Sequence, residues 1–472
     1  MNFTESIFIP FFLVVIGCFA LARRRPTTQV RMLLIASLIF YGWWRIDFLG
    51  LLLFICLMDY LVGITIHRLQ QTFHRKALLA LSIVTNLSIL CFFKYYTWIS
   101  NNCNWVLPQL GLPTFPTWNI ILPIGISFYT FRSMSYIVDI YRGRMSPCTS
   151  LFYYVTAMTA FPQLVAGPIV RARNLIPQFY GNLTRRSDHS GLWLMLWGYL
   201  KKMTIADPLG TYIVNPIFAD IASHSAPELI LAAYAFTFQI FFDFSGYSDI
   251  AIGLGRIFGL RLTTNFRSPY LASNISDFWR RWHITLSAWF RDYLYIPLGG
   301  SRCSRLTTAR NLMLTMLITG LWHGASGTFL IWGGLHGLYS CIFHEFDLAV
   351  RNGHFVWWTN LPKTIRIVIF FQLLTVTWIF FRLPSLAACW IFFARLFTAP
   401  WDTLHATSCW PWLFTIAAAA HYFIEPFLDS LVALASCLSS LMTAAAYVGL
   451  FALLYWLSEL NINHQAFIYF QF

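Results

Sequence analysis

The sequence predicts an all-α polytopic membrane protein, and three observations predict it. Of 472 residues, 58% are hydrophobic and only 11% charged, whereas soluble domains carry about 25% charged residues. Apolar segments recur from end to end, many near the about 17–25 residues that cross a bilayer. The basic residues behind a net charge of +14 gather in short loops between those segments, as the positive-inside rule requires. Residues 1–472 therefore read as a single membrane-embedded domain rather than several soluble ones.

Residues 7–22 form the first apolar segment, and Arg23, Arg24 and Arg25 follow it. A secretory signal carries its positive charges in front, so this segment reads as a transmembrane helix with its N-terminus outside and the arginines in the cytoplasm. Residues 32–44 are short, tilted or interfacial, and 48–66 span. The basic loop 68–76 is expected inside. Residues 77–93 then exit, 94–118 read as a polar, Asn-rich outer loop, and 120–140 return toward Arg142 and Arg144. Residues 151–165 lead into Gly167-Pro168 and two arginines, a break at membrane depth that is tolerated only where it is buried in protein or lines a cavity.

Residues 191–200 end in Lys201-Lys202 and read as interfacial; 229–242 span. Asp243 and Asp249 are expected to flank a turn over 244–248 and to be structural. The block 245–310 is the least hydrophobic long stretch and holds nine arginines, from Arg256 to Arg310. It reads as short helices and re-entrant segments that form a basic cytoplasmic funnel. Residues 312–332, 333–342, 365–381, 387–397, 410–427 and 441–457 complete about 11–13 hydrophobic segments. No internal repeat is visible, which weakens a transporter reading.

In a soluble protein the positive charge would point to nucleic acid. Here the loops account for it, with membrane lipids as the anionic surface or a polyanionic cofactor beside them, and nucleic acid is not expected. The ten cysteines lie mostly in apolar runs, with no CxxC pair and no zinc spacing, so no metal is expected. Cys103 and Cys409 read as outside and able to pair. Chemistry concentrates elsewhere. His323 lies in Gly320-Leu321-Trp322-His323-Gly324, within the apolar run 312–332. A titratable group at membrane depth is costly and is by default a functional hypothesis, and imidazole suits proton transfer near neutral pH. His283 ends Trp279-Arg280-Arg281-Trp282-His283, and His336 is a third candidate. For each, the plain alternative is a buried histidine donating one hydrogen bond.

The set of motifs resembles the membrane-bound O-acyltransferase family, in its bacterial branch that acetylates alginate, peptidoglycan and cellulose. The stretches that carry the resemblance run over most of the chain. They are Phe40-Tyr41-Gly42-Trp43-Trp44, Phe92-Phe93-Lys94-Tyr95-Tyr96, Leu122-Pro123-Ile124-Gly125-Ile126-Ser127-Phe128-Tyr129, Gly167-Pro168, Tyr247-Ser248-Asp249 and the two histidine motifs. The resemblance implies helices and re-entrant segments around a transmembrane tunnel, with His323 midway, the donor entering from the cytoplasm and the acceptor from the other side. Gly320 would let helices approach closely there.

On that footing His323 is the expected general base, taking a proton from an acceptor hydroxyl that attacks a thioester. His283 would orient the thioester, hold a water or stabilise the oxyanion. Arg280, Arg281 and Arg291 would meet the phosphates of acetyl-CoA, since guanidinium pairs with phosphate bidentately; the alternative is lipid anchoring and pairing with Asp277 and Asp292. There is no Gly-rich phosphate loop. Residues 464–472 end in Phe467-Ile468-Tyr469-Phe470-Gln471-Phe472, which looks like the FxYFxF terminus of envelope-polymer O-acylation systems. That likeness implies an acyl relay through Tyr469; an interfacial aromatic anchor is the alternative. The resemblance thus implies an acetyltransferase of the bacterial inner membrane that serves an extracytoplasmic polysaccharide with a periplasmic SGNH-type partner. A D-alanyl transferase fed by an acyl-carrier protein, or a proton-coupled transporter, are the other readings.

Overall fold

Every regular element among the described residues is helical. The computed structural model describes residues 1–401, 410–437 and 467–468, with 442, 444, 445, 448, 449 and 452. Among the described residues, four helices are long and apolar enough to cross a membrane, Ile46–Arg68, Thr72–Leu110, Ala226–Ile257 and Lys363–Arg382, and Phe8–Leu21 and Leu386–Thr398 are shorter apolar helices. The described residues fall into two compact units, one built from Met1–Leu196 and Tyr247–Thr263, the other mainly from Trp197–Gly246 and Thr264–Cys437.

In the first unit, three helices are tied by one buried carboxylate. Asp59 of Ile46–Arg68 accepts from Ser82 Oγ (2.6 Å) and Asn86 Nδ2 (3.0 Å) of the next helix, and from Ser133 Oγ (2.5 Å) of Ile126–Tyr141. A carboxylate away from water needs such donors. The expected break near Gly167-Pro168 is real: the helix Leu151–Thr159 gives way to a short turn, Phe161–Leu164, and then to irregular chain. Arg132, fully buried, donates from Nη1 to the Met158 carbonyl (2.7 Å) and from Nη2 to the Gln163 carbonyl (3.1 Å). It supplies bonds that the interrupted helix no longer makes for itself.

Four expectations need correction. Residues 94–106 are not loop but part of the helix Thr72–Val106, because neither glycine nor proline occurs between Lys94 and Pro108 to stop it. Residues 244–248 form no turn; they lie inside the helix Ala226–Ile257, where a single glycine costs only about 1 kcal/mol and burial dominates. The run 312–332 is not one span but the end of Arg305–His323 and the start of Gly327–Arg351. Lys201 and Lys202 are buried rather than interfacial. A π-helical turn, Lys201–Ala206, carries both, and one nearby and two remote acids neutralise them. Lys201 Nζ lies 2.6 Å from Glu425, and Lys202 Nζ lies 2.7 Å from Asp207 and 2.5 Å from Asp243. Cys103 carries a free thiol, and Cys409, its suggested partner, lies outside the described residues.

Candidate active site

His323 closes the helix Arg305–His323, and its place there follows from the residues around it. Gly324 takes extended backbone and ends the helix, and Ser326 caps the next one by accepting from the Thr328 amide (3.2 Å). A Cβ on Gly324 would lie 2.1 Å from the Phe329 ring, so glycine alone fits beneath that ring. One turn back, a Cβ on Gly320 would lie 2.3 Å from the Phe329 carbonyl and 3.2 Å from Gly333 Cα. The two helices therefore meet backbone to backbone beside the histidine. Its ring, 3% exposed, is walled by Trp322, Trp332 and Phe381, with centroids 5.0, 5.0 and 5.1 Å away.

His283 is fully buried and holds a left-handed backbone conformation (φ 42°, ψ 53°) at the start of Ile284–Phe290. For a residue with a Cβ this costs about 1–2 kcal/mol, and such strain gathers at functional sites. Its Nδ1 is 3.1 Å from Asn265 Oδ1, which also accepts from the Thr285 amide and hydroxyl. An oxygen already taking two donors leaves His283 Nδ1–H as the third donor and Nε2 as the nitrogen with the lone pair. Burial pushes this imidazole down to about 3, so it is neutral at physiological pH. The ring stands 6.0 Å from Trp322, which itself lies 5.0 Å from His323. The two motif histidines thus both stand against one tryptophan, each in a T-shaped arrangement with its ring.

His336 is a fully buried core residue tied through one ring nitrogen. Thr377 gives its hydroxyl proton to the Leu374 carbonyl (2.7 Å), so its oxygen accepts from His336 Nε2 (3.1 Å). The ring is packed by Trp332 and Trp279.

A cleft of about 690 Å³ lies along the helix of His323. Arg280, Arg291, His344 and Arg351 line it, and so do Thr315 and Thr319. Thr319 precedes His323 by one turn, about 6 Å along the axis. Arg281 is not on the cleft wall: its Nε binds Asp277 (2.8 Å) and its Nη1 the Arg267 carbonyl (3.3 Å). Arg291 Nε binds Asp292 (2.7 Å) and the residue remains exposed. Among the described residues no cluster of side chains suits a metal ion.

Tyr469 lies outside the described residues. The two residues before it are described and buried. The Phe467 ring is 5.5 Å from Phe244, and the Ile468 amide donates to Asp243 Oδ2 (2.7 Å). Phe244 in turn stands edge-on to His283 at 4.7 Å. Sequence reading missed Asn265, Asp243 and Lys202 as site neighbours. Asn265 carries no local signal, and the Lys202–Asp243 pair bridges residues too far apart to be read as a motif.

Residues 68–386 match the sequence model of the membrane-bound O-acyltransferase family. The chain is 41% identical to a probable alginate O-acetylase of Azotobacter vinelandii over 405 residues, covering 84% of this chain and 78% of that one. It is 37% identical to a peptidoglycan O-acetyltransferase of Helicobacter pylori, covering 81% and 77%. It is 28% identical to a teichoic acid D-alanyltransferase of Bacillus subtilis, covering 55% and 68%.

Proposed function

The chain belongs to the membrane-bound O-acyltransferase family, and from that premise we propose that it moves acetyl from cytoplasmic acetyl-CoA across a bacterial inner membrane onto an extracytoplasmic polysaccharide. Membership makes it a polytopic membrane acyltransferase. The alginate and peptidoglycan enzymes among its relatives favour acetyl as the group and a glycan as the acceptor. The N-terminus lies outside, and a periplasmic SGNH-type protein completes the transfer.

One observation carries the reading: a single cleft is lined by Arg280, Arg291 and Arg351 and also by Thr319. Its guanidinium groups suit the phosphates of a CoA donor, and Thr319 on its wall lies one turn before His323. His323 takes the proton of the attacking hydroxyl as its oxygen adds to the thioester carbonyl. The C–S bond then breaks and the thiolate leaves, taking up a proton. The carbonyl end of the helix Arg305–His323 favours the positive charge that this places on the ring. His283, neutral and fixed by Asn265, orients the thioester or the water beside it. The block 245–310 is the cytoplasmic funnel that admits the donor.

The first hydroxyl to attack is the phenol of Tyr469. A phenol ester lies between a thioester and a sugar ester in reactivity, so each transfer runs downhill. The burial of Phe467 and Ile468 near His283 supports a tail that reaches the reacting centre. The test is mass spectrometry of purified protein after incubation with isotopically labelled acetyl-CoA. Label on the C-terminal peptide at Tyr469 in the wild type and its absence in His323→Ala are the expected results. Release of CoA that depends on His323 without any label on Tyr469 would remove the relay and leave direct transfer.

A further inference from the structure

Asp243 is a buried carboxylate with a different partner on each oxygen. Oδ1 faces the Lys202 ammonium at 2.5 Å, and Oδ2 accepts from the backbone amide of Ile468 at 2.7 Å. Lys202 is shared with Asp207, so one ammonium faces two carboxylates, and a further donor is needed on Asp243. The amide that supplies it comes from 225 positions away in the chain. The next residue along the helix, Phe244, takes the Phe467 ring on one side and the His283 ring on another. Two consecutive helix residues thus grip two consecutive tail residues, one through the backbone and one through a side chain. A backbone amide fixes the register of the tail whatever its side chain is, while an aromatic contact alone would let it slide.

We propose that the Asp243–Lys202 pair is a docking site for the C-terminal segment, held through Phe467 and Ile468, and that Asp243 is a positioning residue for the relay through Tyr469. The positioning role rests on the relay reading; the docking site does not.

The experiment is hydrogen–deuterium exchange on the full-length protein in nanodiscs, read on the peptide covering 464–472. Ile468→Pro removes the donated hydrogen and leaves Asp243, Lys202 and Asp207 untouched. Ile468→Ala keeps the amide and trims the side chain. In Ile468→Pro the tail amides should exchange about tenfold faster than in the wild type, while peptides of the helix Ala226–Ile257 do not change. Ile468→Ala should stay near the wild type. Asp243→Asn, which keeps an acceptor oxygen but loses the charge opposite Lys202, should fall between them. If Ile468→Pro and Ile468→Ala exchange alike, or the wild-type tail exchanges as an unstructured peptide, the docking site is wrong. Tail labelling by acetyl-CoA in the same variants reports the relay separately. Ile468→Pro should lose label on Tyr469, and His323-dependent CoA release should fall with it, because the acetyl group has lost its first acceptor. Full labelling despite a released tail would overturn the positioning role.

Discussion

The carbonyl oxygen of Phe329 occupies the space that a side chain on Gly320 would need, 2.3 Å from its ideal Cβ. A backbone atom cannot swing aside as a flexible side chain can. Gly320→Ala should therefore push apart the two helices that frame His323, at a cost of about 1–3 kcal/mol. A fall in thermal unfolding temperature together with a loss of acyl transfer is expected. An alanine variant of wild-type stability would show that the hairpin relaxes without moving its histidine.

Arg132 replaces bonds that a broken helix lacks. Arg132→Met removes two donors from the Met158 and Gln163 carbonyls in a site without exposure, and about 2–4 kcal/mol of stability should go with them. Lysine should rescue poorly, since a point charge cannot reproduce the fork that reaches both carbonyls. Comparing unfolding midpoints of the two variants in detergent checks both statements.

His283 sets a pH dependence with a definite sign. Its unfolded value is near 6.5, and burial holds the folded imidazole at about 3. Below pH 6.5 the unfolded chain binds a proton that the folded chain refuses. The stability this site contributes is therefore complete above about pH 6.5 and is lost at up to about 1.4 kcal/mol per pH unit as pH falls toward 3. His283→Gln should flatten that limb between pH 7 and 5. The difference between wild type and variant isolates the site from other histidines, and parallel profiles would refute the assignment.

Asn265 should behave as a positioning residue. It holds His283 Nδ1 and the Thr285 hydroxyl on one oxygen, so Asn265→Ala frees the ring to adopt the other tautomer. A fall in kcat of about 10–100-fold, with KM for the donor little changed, is expected. Asn265→Asp keeps an acceptor and should recover much of the rate. Steady-state kinetics on the pair would distinguish this from general destabilisation, which both variants would share.

What the chain discloses by itself depends on how local the cause is. The burial of His323 and His283 and the close helix approach at Gly320 were legible because each residue sits in a short motif of apolar and aromatic neighbours. The end of the helix at His323 is also written locally, in Gly324 and Ser326, but the apolar run around it hides the signal. Lys201 and Lys202 look like a membrane-edge pair, because nothing nearby announces that Glu425 and Asp243 will neutralise them. Ile468 shows the same limit more sharply: its contribution is a backbone amide, which no side-chain pattern encodes. Arg281 stands beside Arg280 in sequence, yet a helical turn directs the two apart, one to Asp277 and one to the cleft.

That divergence gives the arginines different expected behaviour. Arg280 and Arg291 line the cleft and are exposed, so a phosphate-bearing donor can reach them. Arg280→Ala and Arg291→Ala should each raise the donor KM about 5–20-fold with little change in kcat, because lost phosphate contacts weaken ground state and transition state alike. Screening makes the effect shrink as salt rises. Arg281, already committed to Asp277 and the Arg267 carbonyl, should leave KM near its wild-type value when replaced by alanine. Dephospho-CoA thioesters extend the test: a donor lacking the 3′-phosphate should blunt the effect of whichever arginine meets that group. Equal KM changes in all three variants would mean that the field of the basic block binds the donor, rather than particular guanidinium groups. Free CoA should compete with the donor in the wild type. Its failure to do so at concentrations well above KM would favour a carrier-protein donor, as a D-alanyl transferase would use.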